Sequence, residues 1–421
     1  MNKKKESKVV PNVRFKGFTD DWKQCKLGEV SESYSGGTPS VGNKSYYGGS
    51  IPFIRSAEIN SESTELFLTE EGLTNSSARM VSKGDILYAL YGATSGETGR
   101  SRINGAINQA ILAILPHDGY DSEFLMQWLR KSKQNITDIY LQGGQGNLSG
   151  AIVKDLEVNF PSLAEQRQIG NYFQSIDKLI TLHQQKITLL TKLKKAMLEK
   201  MFPKKGSVIP EFRFNGFANA WEQRKFDEVF DCTIPSNTLS RAELNYESGS
   251  VRNIHYGDIL IKYGSVVDVK NDEIPFATGK SSEDFKSALL QDGDIIIADT
   301  AEDETTGKAC EIGNSQGLDV VSGLHTMVCR PRNKMALGYL GYYLNSDAYH
   351  HQLLPLMQGI KVLSLSRTNV QKTMVCYPQS KAEQQLIADC FRNLDHLITL
   401  HQRKLDMLKK LKSACLSAMF I

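Results

Sequence analysis

The sequence predicts an α/β protein made of two copies of one unit, each copy ending in a long helix. Three observations support this fold class. Two segments recur later in the chain, short apolar runs alternate with amphipathic stretches, and each copy closes with a proline-free stretch that has apolar residues at heptad spacing. The predicted boundaries are 1–160 and 204–377 for the two α/β domains, and 161–203 and 378–421 for the two helices.

The chain repeats itself at both ends of each copy. Residues 10–30 return at 209–229, where Arg14, Phe15, Gly17, Phe18 and Trp22 recur as Arg213, Phe214, Gly216, Phe217 and Trp221. Residues 164–186 return at 382–404 and include an unchanged Leu-Ile-Thr-Leu-His-Gln. The sequence between these segments has diverged. A duplication with a varied interior predicts one fold that carries two different surfaces.

Within each copy the middle region predicts a curved mixed sheet. Short β-type runs bounded by Gly-Asp and Asn-Gly turns lie at 86–92, 106–115, 294–299 and 325–330. Short amphipathic helices are expected at 121–132 and 336–346.

The helical stretches predict a coiled-coil seam, because apolar residues recur every seven positions. About 37 residues give a rod on the order of 55 Å. His183 and His401 occupy equivalent seam positions. They form either a metal-binding or pH-sensing pair or, as we favour, buried polar residues that fix the register. The predicted seam comprises Ile169, Ile176, Leu179, His183 and Leu190, then Ile387, Leu394, Leu397, His401 and Leu408.

Composition excludes several classes of protein. No apolar run reaches the ~20 residues of a membrane span, and no cleavable signal follows the basic start. Seven scattered cysteines without a CxxC pair favour reduced thiols and argue against a zinc site, so we expect a soluble cytoplasmic protein. Residues 231–330 hold seventeen acidic and eight basic residues. Nucleic acid would therefore have to bind at local basic patches.

Catalytic motifs are not found. No Walker A, HExxH, GxSxG or GxGxxG motif stands in a suitable context, and the Pro-Pro of an amino-methyltransferase loop does not occur. The acidic run 299–304 is better explained as an exposed loop than as a nuclease metal site. We therefore expect a non-catalytic chain without a cofactor or metal of its own.

The order of the motifs resembles the specificity subunits of type I restriction-modification systems, over essentially all 421 residues. The motifs are RFxGF…W, GGTPS…YYGGSIPFI, GLHTMVCRP and the PSLAEQ and KAEQ helix starts. The resemblance implies two target-recognition domains, each reading one half of a bipartite asymmetric target in double-stranded DNA from the major groove. It also implies that the two helices form an antiparallel, pseudo-twofold spacer.

The resemblance further implies partner subunits. Two methyltransferase subunits would dock on the spacer, bind S-adenosylmethionine and modify adenine N6. Restriction subunits would supply ATP- and Mg-dependent translocation and cleavage. The cofactors would then belong to the partners.

Candidate DNA-binding residues are polar, basic and aromatic residues in Gly-rich loops, because Arg and Lys suit guanine, and Asn and Gln suit adenine. Gly36 and Gly37 are included because glycine lets backbone approach phosphate. In the first domain the other candidates are Thr38, Lys44, Tyr46, Tyr47, Arg55, Tyr91, Thr94, Arg100, Arg102, Gln142, Gln145 and Asn147. In the second they are His255, Tyr256, Lys262, Tyr263, Thr306, Lys308, His325, Lys361 and Arg367.

Two alternatives stay open. A stand-alone DNA-binding regulator would have recognition domains without enzyme partners, and co-purification with a methyltransferase separates it from a specificity subunit. A cytoplasmic scaffold that binds no DNA would suit the acidic second domain, and salt-dependent duplex binding would exclude it.

Overall fold

The computed structural model describes residues 10–141 and 147–421. The chain divides into two compact units. Unit 1 is Met1–Gln184 with Arg403–Ile421, and unit 2 is Gln185–Gln402. Each long helix therefore contributes residues to both units.

Unit 1 contains a four-stranded antiparallel sheet (β2-β9-β6-β7), a four-stranded mixed sheet (β4-β3-β8-β5) and a small sheet that joins β1 to β10. Strands β6 and β9 are almost wholly apolar and buried, which matches a sheet covered on both faces. The strands are β1 (Lys23–Lys26), β2 (Ser31–Ser35), β3 (Tyr47–Ile54), β4 (Phe67–Leu68), β5 (Arg79–Val81), β6 (Ile86–Ala89), β7 (Thr98–Arg100), β8 (Gly105–Ile107), β9 (Ile111–Pro116) and β10 (Glu157–Phe160). The helices are α1 (Leu27–Val30), α2 (Glu70–Thr74), α3 (Ser122–Tyr140), α4 (Gly150–Lys154) and α5 (Leu163–Lys200), of which α5 continues into unit 2.

Unit 2 repeats this plan with a five-stranded sheet (β12-β21-β17-β19-β15), a four-stranded sheet (β13-β16-β14-β20) and two small sheets, β11-β23 and β18-β22. The strands are β11 (Glu222–Lys225), β12 (Phe230–Asp231), β13 (Leu244–Asn245), β14 (Val251–Ile254), β15 (Val266–Asp268), β16 (Phe276–Ala277), β17 (Ile295–Ala298), β18 (Thr300–Ala301), β19 (Ala309–Gly313), β20 (Asp319–Ser322), β21 (Thr326–Pro331), β22 (Leu363–Ser364) and β23 (Met374–Tyr377). The helices are α6 (Phe226–Val229), α7 (Tyr256–Ile261), α8 (Tyr339–Leu344), α9 (Asp347–His350), α10 (Arg367–Val370) and α11 (Lys381–Met419).

These elements confirm the predicted α/β class with mixed sheets, but the two short helices differ in length. Helix α3 runs eight residues beyond the predicted 121–132, because Ile136 continues its apolar face and is 4% exposed. Helix α8 stops at Leu344, since the side chain of Asn345 binds the carbonyl oxygens of Gly341 and Ala309. None of the helices within the described ranges is long and apolar enough to span a membrane.

The repeated Arg and Glu of the motifs form a buried ion pair in each unit. In unit 1, Arg14 donates two hydrogen bonds, of 2.6 and 2.7 Å, to the carboxylate of Glu165. In unit 2, Arg213 donates two, of 2.7 and 2.9 Å, to Glu383. Both glutamates lie in the first turn of a long helix and are essentially unexposed. Each pair fixes the aromatic N-terminal segment of a copy to its long helix.

The neighbouring glutamine of each motif ties the same helix to its domain. Gln166 accepts a bond from the backbone of Asp121 and donates to the carbonyl oxygen of Pro161. Gln384 makes the equivalent bonds to Ala336 and Pro378. The Ala-Glu-Gln repeat is thus a structural joint between domain and helix.

The long helices pack antiparallel within each unit. In unit 1, Tyr172 contacts Cys415 and Asp177 pairs with Lys412, so the partner number falls as the helix advances. In unit 2, Lys194 pairs with Asp395 and the ring of Phe202 stacks on Phe391. The antiparallel arrangement implied by the resemblance is confirmed within each unit.

The buried seam residues are spaced alternately four and three residues apart. Two residues that were predicted to belong to the seam do not fit this spacing. Leu179 and Leu397 are 45% and 39% exposed, because they lie three residues after the buried Ile176 and Leu394, whereas the seam continues at the fourth residue. His183 and His401 are half-buried, and the choice between their two interpretations stays a prediction. The predicted residues that are buried are Ile169, Ile176, Leu190, Ile387 and Leu394, and Leu408 is half-buried.

A Met-Phe pair at the C-terminal end of each long helix enters a domain core. Phe202 is unexposed among Trp221, Tyr339 and Phe391 in unit 2. Phe420 is 3% exposed and packs against Phe124 and Phe173 in unit 1. The second helix therefore completes the core of the first domain, and the first helix that of the second.

Candidate DNA interface

The strands β3 and β14 end in equivalent loops that are shaped by an acidic residue. Glu58 and Asp258 follow Ile54 and Ile254 at the same distance along the chain. Glu58 accepts bonds from Arg55, and Asp258 accepts two, of 2.9 and 2.7 Å, from Arg241. In both copies, therefore, a carboxylate four residues after the strand binds an arginine side chain.

Arg55, a predicted base reader, belongs to one of these ion pairs. Its guanidinium binds Glu58 and also Glu65, at 2.6 Å. Burial opposes ionisation of Glu58, but the hydrogen bonds from Arg55 and from the backbone lower its pKa to about 2. Arg55 would have to leave two carboxylates to reach a base.

The other predicted arginines of the first domain are also paired. Arg100 donates to the carbonyl oxygen of Gly84 at 2.6 Å and to Glu123 at 2.9 Å. Arg102 binds Glu62 at 2.8 Å, and both side chains are largely exposed. Exposed ion pairs are weak, so Arg102 is the easier of the two to transfer to phosphate.

Packing within the domain accounts for Gly36 and Gly37, and their predicted approach to phosphate stays a prediction. A Cβ atom on Gly36 would lie 1.8 Å from the carbonyl oxygen of Ile107. A Cβ atom on Gly37 would lie 1.9 Å from the hydroxyl of Ser77. Only glycine lets this loop pack so closely on the domain.

The loop that follows Gly37 keeps several predicted residues near the surface. Thr38 donates to Gln109 at 2.6 Å, and the hydroxyl of Tyr47 donates to the carbonyl oxygen of Pro39. Lys44 is exposed and has no ion pair among the described residues, while Tyr46 is half-buried.

A second group of candidates lies at an isolated β-bridge, a single pair of hydrogen-bonded backbone residues outside the named strands. Tyr91 pairs with Asn147, and the hydroxyl of Thr94 donates to the carbonyl oxygen of Tyr91. In unit 2 the same position is the pairing of β18 with β22, Thr300 opposite Ser364. Both copies thus place the loop after a central strand beside a second loop, which leads into α4 in unit 1 and into α10 in unit 2. The candidates Gln142 and Gln145 lie outside the described residues.

In unit 2 this second loop is a projecting hairpin. Gln358 and Ser364 exchange two backbone hydrogen bonds, of 3.0 and 2.8 Å. Lys361 at the tip is exposed, and no ion pair holds it in the described parts of the chain. Arg367, at the start of α10, is exposed as well. These two cations are available for phosphate or base.

Three further candidates form an aromatic cluster. The ring of Tyr256 lies 4.5 Å from that of His255 and 5.3 Å from that of His325. His325 is half-exposed, lies near Asp299 and has a φ of 54°, a left-handed conformation that is uncommon outside glycine. Such local strain is frequent at binding sites.

His255 itself is a structural member of this cluster. It is 7% exposed, and its Nδ1 accepts the backbone N–H of Gly257 at the start of α7. Burial and then the charge of Arg241 lower the pKa of His255, which favours the neutral ring that this bond requires. Tyr256 and His325 are therefore the members placed to meet a ligand.

Of the predicted readers of the second domain, Thr306 and Tyr263 are buried and Lys308 is half-buried. All three form hydrogen bonds within the domain, and their assignment as base readers stays a prediction. Thr306 is unexposed and donates to the carbonyl oxygen of Asp303. The ammonium of Lys308 donates to the carbonyl oxygens of Leu260 and Tyr263, and burial lowers its pKa. Tyr263 is 5% exposed and its hydroxyl donates to Glu273, which also pairs with Lys262.

The long helices also carry exposed apolar residues that were not predicted to form a surface set. Single exposed apolar residues are ordinary, but these occupy the same positions in both copies, three or four residues apart on one helix face. The signal was present in the sequence, because Leu179 and Leu182 belong to the identical Leu-Ile-Thr-Leu-His-Gln. In unit 1 the set is Leu179, Leu182, Met407 and Leu411, and in unit 2 it is Leu397, Leu400, Leu189 and Leu193.

Across the described residues, no group of three or more His, Cys, Asp or Glu is placed to hold a metal ion.

Comparison with known proteins places the chain in a family. The model of the type I restriction modification DNA specificity domain matches residues 19–192 and again 219–410. The specificity subunit of the type I restriction enzyme MjaVIII from Methanocaldococcus jannaschii is 21% identical over 404 residues, which cover 93% of this chain and 90% of that protein.

Two solved structures share the fold. The S subunit of a type I restriction-modification system from M. genitalium is 14% identical, with a TM-score of 0.62 over 98% of this chain and 99% of that chain. A chain from a study of complex assembly and conformational transition in the type I system is 16% identical, with a TM-score of 0.51 over 95% and 97%. Since the family model covers both copies, this chain belongs to the type I restriction modification DNA specificity family and is a non-catalytic specificity subunit.

Proposed function

We propose that each unit reads one half of a bipartite, asymmetric DNA target, and that the subunit thereby directs adenine-N6 methylation and restriction by its partners. The observation that carries this proposal is the contrast between the copies. Residues that join domain to helix are repeated, as in the Arg14–Glu165 and Arg213–Glu383 pairs. Residues at the exposed loop ends differ, as Asn147 and Ser364 do. A two-site reader needs this combination.

We also propose that the long helices set the gap between the half-sites. Helix α5 has 38 residues and contributes to both units, so at ~1.5 Å per residue it extends about 57 Å. Readers that face the same groove must be whole turns of B-DNA apart, ~34 Å each. A packed helix resists compression and supports a fixed separation.

The repeated exposed apolar sets are the proposed docking sites for two methyltransferase subunits. Each unit presents the same four positions, so each is suited to one copy of the same partner. S-adenosylmethionine would then be bound by the methyltransferases, and ATP and Mg by the restriction subunits. A cytoplasmic location is proposed, which suits the seven free cysteines.

Introducing a negative charge into each exposed apolar set should prevent one methyltransferase subunit from binding. Leu182→Glu is expected to leave one methyltransferase bound, and Leu182→Glu with Leu400→Glu none, because each places a carboxylate in an apolar contact. Mass measurement of the purified complex by light scattering gives the stoichiometry. Gln174→Glu is the matched control, since it adds the same charge at another exposed position of α5. Full stoichiometry in the double variant would contradict the docking proposal.

Duplex binding tests the DNA-reading proposal and both alternatives. Fluorescence anisotropy across a salt series should show affinity falling steeply with salt, because phosphate contacts release counterions. Salt-independent or undetectable binding would favour the scaffold. Binding without any association with a methyltransferase would favour the stand-alone regulator.

Replacing one lysine tests whether the hairpin of unit 2 contacts DNA. Lys361→Ala is expected to weaken duplex binding several-fold for all sequences alike, and to reduce the salt slope by about one. Lys225→Ala is the control, because it removes the same charge from an exposed position of β11 outside the candidate loops. If both variants changed the duplex affinity and its salt slope equally, the hairpin would not be part of the DNA interface.

A further inference from the structure

Two cysteines of unit 2 lie side by side in its core. The Sγ atoms of Cys232 and Cys329 are 3.0 Å apart. The two residues are 4% and 1% exposed and belong to one apolar cluster. Both are free thiols.

The strand register explains why the thiols meet. Strand β12 pairs antiparallel with β21 through Phe230 opposite Pro331 and Asp231 opposite Arg330, so the next residues, Cys232 and Cys329, face each other. The backbone N–H of Arg332 binds the carbonyl oxygen of Val229. Because hydrogen-bonded and non-hydrogen-bonded pairs alternate, the cysteines fall on a non-hydrogen-bonded pair, with Cα atoms ~4.5 Å apart. A disulfide accepts Cα separations of roughly 4.4–6.8 Å.

The pair is a property of the second copy, not of the fold. In unit 1, strand β2 pairs with β9 in the same way, with Ser31 opposite Pro116. Two steps further along this ladder, Ser33 lies opposite Ile114, where unit 2 has the two cysteines. The first copy therefore serves as a natural control without thiols.

We propose that Cys232 and Cys329 are a redox site, oxidised by peroxides to an intramolecular disulfide that fastens the edge strand β12 to β21. Cys232 follows a two-residue strand at the end of its sheet, where local opening admits a small oxidant. The bridge would close a loop of almost one hundred residues, counted as 329 minus 232, and so restrict the unfolded chain.

The chemistry needs only a peroxide and the two thiols. The Cys232 sulfur attacks a peroxide oxygen, the O–O bond breaks, and a sulfenic acid and one water form. The Cys329 sulfur then attacks the sulfenic sulfur, the S–O bond breaks, and a second water leaves with the thiol proton. Two electrons pass from the cysteines to one hydrogen peroxide, which becomes two waters.

The surroundings of the two thiols favour Cys232 as the cysteine that attacks the peroxide. The contact with the Cys329 thiol lowers the pKa of Cys232, burial opposes this, and the charge of Arg367 assists it. Burial raises the pKa of Cys329. The thiolate is the reactive form, so Cys232 is the nucleophile and Cys329 resolves the sulfenic acid.

The test uses the full chain, treated with hydrogen peroxide, denatured and alkylated. Alkylation is expected to fall from seven thiols to five, and peptide mapping should recover the peptide of Cys232 linked to that of Cys329. The linked chain should melt roughly 5–10 °C higher in the transition of unit 2. Cys329→Ala should leave a sulfenic acid at Cys232 that dimedone traps.

Seven alkylated thiols, a link between other cysteines, or an unchanged melting temperature in the linked chain would overturn the proposal. The wild-type mapping does not depend on how well the variant folds, and none of these readouts requires DNA.

Discussion

Arg213→Ala is expected to destabilise unit 2 by about 3–5 kcal/mol, because it leaves the carboxylate of Glu383 buried without its cation. Glu383 is 1% exposed and would keep only the 3.2 Å bond from the indole of Trp221. Arg14→Ala should have the same effect on unit 1 through Glu165. Hydrogen exchange measures the free energy of opening for each unit separately.

The control for this prediction is an exposed ion pair of the same unit. Arg224 binds Glu222 at 3.3 Å with half its side chain exposed, so Arg224→Ala should leave the free energy of opening almost unchanged. A loss below 1 kcal/mol for Arg213→Ala, or a loss spread equally over both units, would show that the repeated ion pair is not the joint described above.

Phe420→Ala is expected to destabilise the first domain by about 3–5 kcal/mol, although Phe420 follows the second helix in the sequence. Its ring packs 5.0 Å from that of Phe124 and 5.8 Å from that of Phe173, in the core of unit 1. Phe202→Ala should destabilise unit 2 by a similar amount. Urea denaturation monitored by hydrogen exchange in each unit gives the two values.

Phe212→Ala is the matched control, since Phe212 is 49% exposed and its removal should change stability by less than about 1 kcal/mol. If Phe420→Ala reduced protection in the second helix alone and left residues 86–129 unchanged, the end of that helix would not be part of the first core.

The duplicated architecture could be predicted because its cause is local and repeated. Strands such as Ile86–Ala89 and Ile295–Ala298 are continuous apolar runs, and the long helices have a regular seven-residue period. The phase of the seam was harder to predict. Leu179 and Ile180 both follow Ile176 at helical spacing, and only packing shows that Ile180 is half-buried against the core of unit 1 while Leu179 is exposed.

The candidate interface was predictable in part, because a charged residue does not reveal its partner. Lys308 binds carbonyl oxygens from residues more than forty positions away, and Arg55 is held by two glutamates. His325 and Lys361 are exposed, and Tyr256 is half-buried at the start of α7. The repeat of Glu165 at Glu383 was visible in the sequence, but the pairing of these glutamates with Arg14 and Arg213 was not.

Methylome sequencing of cells that express this subunit with its methyltransferase tests the central claim most directly. We expect N6-methyladenine in one motif made of two different half-sites separated by a fixed gap. A variant with a few residues inserted near 190–200 should change the gap and keep both half-sites, because the insertion lengthens the helix without touching the loops. Altered half-site letters with an unchanged gap, or a single uninterrupted motif, would contradict the account.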